Sequence, residues 1–258
     1  MSFTNLYKPP SAETLSLAEL YGPDPYDLNF PFPIHLESLQ TDRVTLTPFI
    51  PSVHAKAYWE AIAPHNIELF KYYPSTCKSF EEVLEFFELY IRRDPARIIF
   101  SIIDKTKPDP THPEFGGSLA GVVGLYNTRG PDLASEIGHV LVFKEFHGTH
   151  VAQNAVGVLV RFCMDDPTAS PPGLGLRRLQ WFCHPNNDKS AGLAEKMGMK
   201  REGILRWHRL LSPELAEFGR KPRDGDPHYG RDTLVLSVCW DEWEAVRKNV
   251  QERIDRKA

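Results

Sequence analysis

The sequence predicts an α/β protein, one domain built on a mixed sheet. Runs with the spacing of amphipathic helices alternate with short apolar runs of strand length. Their order is strand, two helices, three strands, helix, strand, helix, two strands, helix, which groups around a single sheet. The 258 residues, 41% apolar and 25% charged, suffice for one large core.

Residues 1 to 40 form a proline-dotted arm (Pro9, Pro10, Pro23, Pro25, Pro31, Pro33) interleaved with Tyr7, Tyr21, Tyr26, Phe30 and Phe32. Proline fixes φ and removes donors, so the arm is expected to be extended, apart from a short turn within Ser11 to Leu20. Its aromatics place it across the surface of the domain that occupies residues 41–248. Thr41 to Thr47 alternates polar with apolar and reads as the first strand. Pro51 and Ser52 open a helix to about Ala63, and Ser79 with Glu82 makes an S-x-x-E capping box for a helix to about Arg93. Strands follow at Arg97–Asp104 and Leu119–Tyr126.

The central stretch is Ala134–Phe162, an apolar strand, a turn at Gly148, and a helix with Val151, Ala155, Val158, Leu159 and Phe162 on one face. Thr149 or Gly148 can cap that helix, whose first-turn N–H groups and dipole suit an anion. A strand at Leu179–His184 precedes a helix at about Ser190–Met197, stopped by Gly198. Strands at Ile204–Leu211 and Thr233–Cys239 and a helix after Asp241 close the domain, leaving 249–258 as a tail. The polar loop 212–229, with Pro213, Pro222 and Pro227, has the length of a lid or binding loop.

A net charge of −4 argues against nucleic acid or anionic membrane as the partner. No apolar run has membrane-span length, and Met1–Leu20 lacks a signal-peptide core. The four cysteines are scattered without CxxC spacing, as expected of reduced thiols in a metal-free, cytoplasmic protein. A homodimer stays open.

Four segments together resemble the GNAT N-acetyltransferases, most closely their RimL-like branch: TDRVTL at 41–46, ASEIGHVLV at 134–142, Asn187 to Ser190 followed by LAEKMGMKREGILR at 193–206, and Gly230-Arg231-Asp232 ahead of Glu242-Trp243. They span most of the chain in family order. The resemblance implies a single mixed, mostly antiparallel, twisted sheet with helices on both faces. It also implies acetyl-CoA as co-substrate and a primary amine, a small molecule or a protein N-terminus, as acceptor. The alternative is a non-catalytic acyl-CoA-binding or interaction module on the same fold. The turn departs from the family: His150 stands where a second glycine is common.

Amide formation from a thioester needs a neutral amine, although a Lys amine has pKa about 10.4 and an α-amine about 7.7–8.0. It also needs donors for a developing oxyanion. By resemblance, Val140, Leu141 and Val142 pair with the pantetheine arm, and the turn His147, Gly148, Thr149, His150, Val151 and Ala152 faces pyrophosphate. Asn187 either bonds the cofactor amide or caps a helix, and Ser190 either meets the cofactor or caps likewise. Glu136 is the first candidate base, acting through water, with a structural carboxylate paired to an arginine as its rival reading. His139 is the second, with packing as its rival. They stand three apart, so they share a face only if a bulge intervenes. His147 and His150 lack a third partner for a metal, and a solvated or phosphate-facing role is expected instead. The general acid stays open, with Tyr126 and Tyr229 available.

Overall fold

In the computed structural model, residues 2–8 and 14–256 are described; Pro9, Pro10 and residues 11–13 of the expected turn lie outside them. The elements are α1 Leu17–Leu20, β1 Val44–Pro48, α2 Pro51–Ile62, α3 Asn66–Phe70 and α4 Phe80–Glu85, continued as a π-helix Phe86–Arg92. Then come β2 Ile98–Asp104, β3 Ser118–Arg129, β4 Ala134–Val142, α5 Val151–Met164 and β5 Arg178–Cys183. α6 Asp188–Lys196, β6 Lys200–Leu210, β7 Gly230–Cys239 and α7 Trp240–Asp255 complete the chain. The seven strands form one sheet in the order β1-β2-β3-β4-β5-β7-β6, antiparallel except for the β4–β5 pair. Helices cover both faces, as the sequence predicts.

Ser79 accepts the Glu82 N–H at the start of α4, but the Glu82 carboxylate reaches back to the Lys78 N–H, one residue before the cap. The box is therefore half formed. The turns of this helix then widen, with the Arg93 N–H bonded to the Glu88 carbonyl, five residues back. That widening reconciles the run Phe86 to Ile91, too apolar for one helical stripe, with a single buried side: Phe87 and Ile91 face the core while Tyr90 stays exposed. Glu88, buried on the same helix, is held by Arg92 and Arg93.

α5 is buried nearly all round, beyond the single face that its spacing predicts, because α7 packs on its outer side. Val158, Leu159 and Phe162 are almost fully covered, and each such side chain contributes about 1.5–3 kcal/mol by leaving water. Residues 249–255, expected as a tail, continue α7: Val250 and Ile254 are buried, four apart. Arg43 bonds the Ile254 carbonyl and fastens that end. The arm also packs inward, burying Leu20 and Leu39 and laying Tyr21, Leu28, Phe30 and Phe32 against the core.

Candidate active site

The site begins where the central pair of strands parts. β4 and β5 pair from Ala134/Arg178 to Ile137/Trp181, and the ladder stops there. Beyond it, β4 continues against β3 alone, through Leu141/Val122 and Val142/Gly121. The Leu141 carbonyl points at β3, 2.1 Å from an ideal Cβ on Gly121. Strand alternation therefore turns the polar groups of Val140 and Val142 into the open splay. Two side chains already reach that edge: the Tyr73 hydroxyl donates to the Val140 carbonyl at 2.8 Å, and His147 Nε2 lies 2.8 Å from the Val142 carbonyl.

A bulge shapes the strand just before the splay. Gly138 faces Gly124 and Leu141 faces Val122, so β4 spends one residue more than β3, and His139 takes a left-handed φ of 49°. The extra residue puts Glu136, Gly138 and His139 over one face. An ideal Cβ on Gly138 would lie 2.9 Å from the Tyr126 ring and 3.5 Å from Glu136 Oε1. The absent side chain at 138 is what lets Tyr126 lie beside the carboxylate and stack on His139.

The two candidate bases differ in their surroundings. Glu136 is 7% exposed and accepts the Asn127 Nδ2–H at 2.5 Å. Burial raises its pKa to about 7, against the Asn127 bond and the charges of Arg209, Arg231 and Arg97, which pull it down. His139 lies among Phe70, Tyr73, Phe86 and Tyr126, with the Tyr58 hydroxyl 3.5 Å from Nε2. Burial pushes its pKa down to about 4, leaving a neutral ring with little appetite for a proton. A carboxyl titrating near neutrality suits proton transfer at physiological pH better than this imidazole does.

At the far end of β4 the turn before α5 carries Gly148 at φ 76°, with nothing within 4 Å of an ideal Cβ. Glycine is there for the backbone conformation, and the space beside it is open. The Thr149 hydroxyl accepts the Val151 N–H at 3.3 Å, although the cap position itself is His150. The expectation that the His150 imidazole is solvated or faces phosphate is corrected: Nε2 lies 3.3 Å from the buried Asp104 carboxylate. What position 150 offers an anion is backbone, together with the first-turn N–H groups that no helical carbonyl can reach. The two imidazoles, one toward Val142 and one toward Asp104, point apart.

Asn187 caps α6 through the Ser190 N–H at 3.2 Å, and the Ser190 hydroxyl accepts the Trp181 Nε1–H at 2.9 Å. Both side chains thus have structural work beside the splay. The structure adds Asn127, Tyr58, Tyr73, Arg209 and Arg231, none of which sequence reasoning placed at this site. Arg231 had a signal in the Gly230-Arg231-Asp232 motif; the others had none that spacing could show.

A splayed parallel pair at mid-sheet, a bulge and a glycine turn onto a helix N-terminus fit an extended thioester cofactor ending in pyrophosphate. The acetyltransferase (GNAT) domain matches residues 43–200, more than half of the chain. The chain belongs to the GNAT acetyltransferases. Solved structures with the same fold include a GCN5-related N-acetyltransferase from Brucella melitensis, 23% identical, covering 83% of each chain at a TM-score of 0.63. Mycobacterium smegmatis RimJ in complex with CoA-disulfide is 18% identical over 80% of this chain and 87% of its own, at 0.57. A Vibrio cholerae spermidine N-acetyltransferase variant is 16% identical over 79% and 97%, at 0.54. These likenesses are of fold. No curated protein matches the sequence. GNAT domains use acetyl-CoA. Among the described residues no helix is long and apolar enough to cross a membrane.

Proposed function

We propose that this chain is an acetyl-CoA-dependent N-acetyltransferase of the RimL-like branch, acetylating a primary amine by direct attack in a ternary complex. The observation that carries the reading is the Glu136 carboxyl, whose pKa of about 7 sits on the same face as the bulge that opens the splay. Glu136 takes the amine proton through an ordered water, and Asn127 holds the carboxyl in place. His139, neutral and enclosed by aromatic rings, supports the bulge rather than the proton transfer. Acetyl-CoA would supply the activated acyl group, its C–S bond breaking as the C–N bond forms, and CoA would leave as the thiol after taking a proton from solvent. Val140 and Val142 hold the pantetheine arm along the splay and present backbone donors to the thioester oxygen, while Leu141, expected to share that role, turns its polar groups to β3 instead. The Gly148 turn and the Ala152 N–H hold the pyrophosphate, while the Val151 N–H is taken by the Thr149 hydroxyl.

The loop 212–229 is tied to the segment 74–78, where the Ser212 N–H bonds the Pro74 carbonyl, Lys78 pairs with Glu214 and Leu215 is buried, and it is proposed to wall the acceptor side. That narrowing favours a small amine over a protein terminus. The arm 1–40, the catalytic domain from residue 41 through the end of α7 and this inserted loop are proposed as the functional divisions, in a cytoplasmic protein. Thiol release from acetyl-CoA across an amine panel tests the activity. Amine-dependent release supports it. CoA binding without release from any amine would leave the non-catalytic acyl-CoA-binding module as the reading.

A further inference from the structure

Two arginines stand over the same face as Glu136 with no acid among the described residues to pair with. Arg231 is 8% exposed, and its guanidinium spends Nε on the Tyr72 carbonyl at 3.0 Å and Nη1 on the Thr233 hydroxyl at 2.7 Å. Both acceptors are neutral, and among the described residues no carboxylate lies within ion-pair distance of it. A buried charge in that condition is costly unless something of opposite sign completes it. Arg209 is its direct cross-strand partner in the β6–β7 ladder. Like charges so placed share a face and repel, which sharpens the same requirement.

The nearby acids do not meet it. Asp232, next in the chain, is taken by Arg220 at 3.0 Å and by the Trp207 N–H at 2.8 Å. Glu136 feels both arginines but is bonded to Asn127. Arg97, the third charge that reaches Glu136, is already satisfied: it pairs with Asp94 at 3.1 Å and stacks on Tyr90 at 3.6 Å. The excess positive charge beside the carboxyl therefore belongs to Arg209 and Arg231.

We propose that the acceptor is an amine that also carries an acidic group, a carboxylate or a phosphate, held by Arg231 and Arg209 while its amine faces Glu136. This rests on the acetyl-transfer reading above for the identity of the site. The arrangement selects against polycationic amines, which bring two or more positive charges to a cleft that already has them in excess. Guanidinium groups suit both acids, because their N–H pairs match two oxygens at once.

The test uses the full chain and matched acceptors: amino acids each paired with its carboxamide, phosphoethanolamine paired with ethanolamine, and spermidine. Thiol release gives kcat/KM, and calorimetry on the CoA-saturated protein gives affinity. The best acid should exceed its neutral partner by about tenfold or more, as expected of one charge-assisted contact, and spermidine should be the poorest acceptor. The carboxylate and phosphate arms tell which acid is meant. Arg209→Glu, an exposed substitution that leaves the core alone, should cut the acid-to-neutral ratio of kcat/KM by at least about tenfold, read through the KM of the acid. Arg231→Gln should do the same where it folds. Equal use of acids and amides, preference for spermidine, or an Arg209→Glu protein whose acid-to-neutral ratio matches that of the wild type would overturn the proposal. Should CoA bind and no amine turn over, the acetyl-transfer reading falls, and the calorimetric pairs still decide this one: tighter acids support it, equal affinities overturn it.

Discussion

Replacing Glu136 by glutamine isolates what it takes to keep a carboxyl in this pocket. Burial raises its pKa from 4.5 to about 7. The folded protein therefore holds this proton more tightly than the unfolded chain does. The contribution to stability is fully present below pH 4.5 and is lost as pH rises through about 7. A shift of about 2.5 units, at about 1.36 kcal/mol each, makes that loss roughly 3 kcal/mol. Glutamine has the same shape, can still accept the Asn127 N–H, and does not titrate. Glu136→Gln should thus gain on the wild type by up to about 3 kcal/mol between pH 4.5 and pH 8, and the two should run level in acid. Urea unfolding at fixed pH values, with the m-value checked for constancy, measures this directly. Stability curves for the two proteins that stay parallel across the range would refute the claim that Glu136 is a buried, neutral-range carboxyl.

Gly148→Glu adds a side chain to open space at a φ that favours glycine and brings a negative charge to the proposed pyrophosphate turn; calorimetry should show CoA affinity down by at least about tenfold, with folding retained. Tyr126→Phe removes a buried hydroxyl that has no partner among the described residues, so urea melts should show stability unchanged or raised by about 1 kcal/mol. Its kcat should still fall by about tenfold if that hydroxyl orients the amine or its water. Deleting residues 1–30 should shift the acceptor's KM more than that of acetyl-CoA, read by steady-state kinetics. With Leu20 in the core, the truncated protein should also melt earlier.

The strands and long helices were legible because their signals are local and repeat: alternation in Thr41–Thr47, the Ser79 cap, the apolar spacing of α5 and glycine at 198. Boundaries moved by a few residues where the ladder rather than the pattern sets the end, as at β6, which starts at Lys200 because Ser237 is there to pair with it. The π-helix in α4 and the five-residue α3 were not legible, since neither has a periodic signal of its own. Within the site, Glu136 and His139 could be named, but their sharing a face depended on one extra residue in β4. Their ranking depended on burial, which no spacing reports. Arg97, Arg209 and Arg231 are brought to Glu136 by long-range pairing alone. His150 shows the opposite limit: its position in the turn was legible, while its direction is set by Asp104, forty-six residues earlier.

The pH dependence of kcat/KM for wild type and Glu136→Gln, measured side by side, tests the proposed catalysis most directly. The wild type should show an acidic limb near pH 7, where the Glu136 carboxyl loses its proton. In the variant that limb should vanish and kcat should fall by roughly 10²–10⁴, the range for a lost general base, with CoA affinity unchanged. A variant that turns over near the wild-type rate with the same acidic limb would contradict it, and would make Glu136 a structural carboxyl beside a site that works by placement alone.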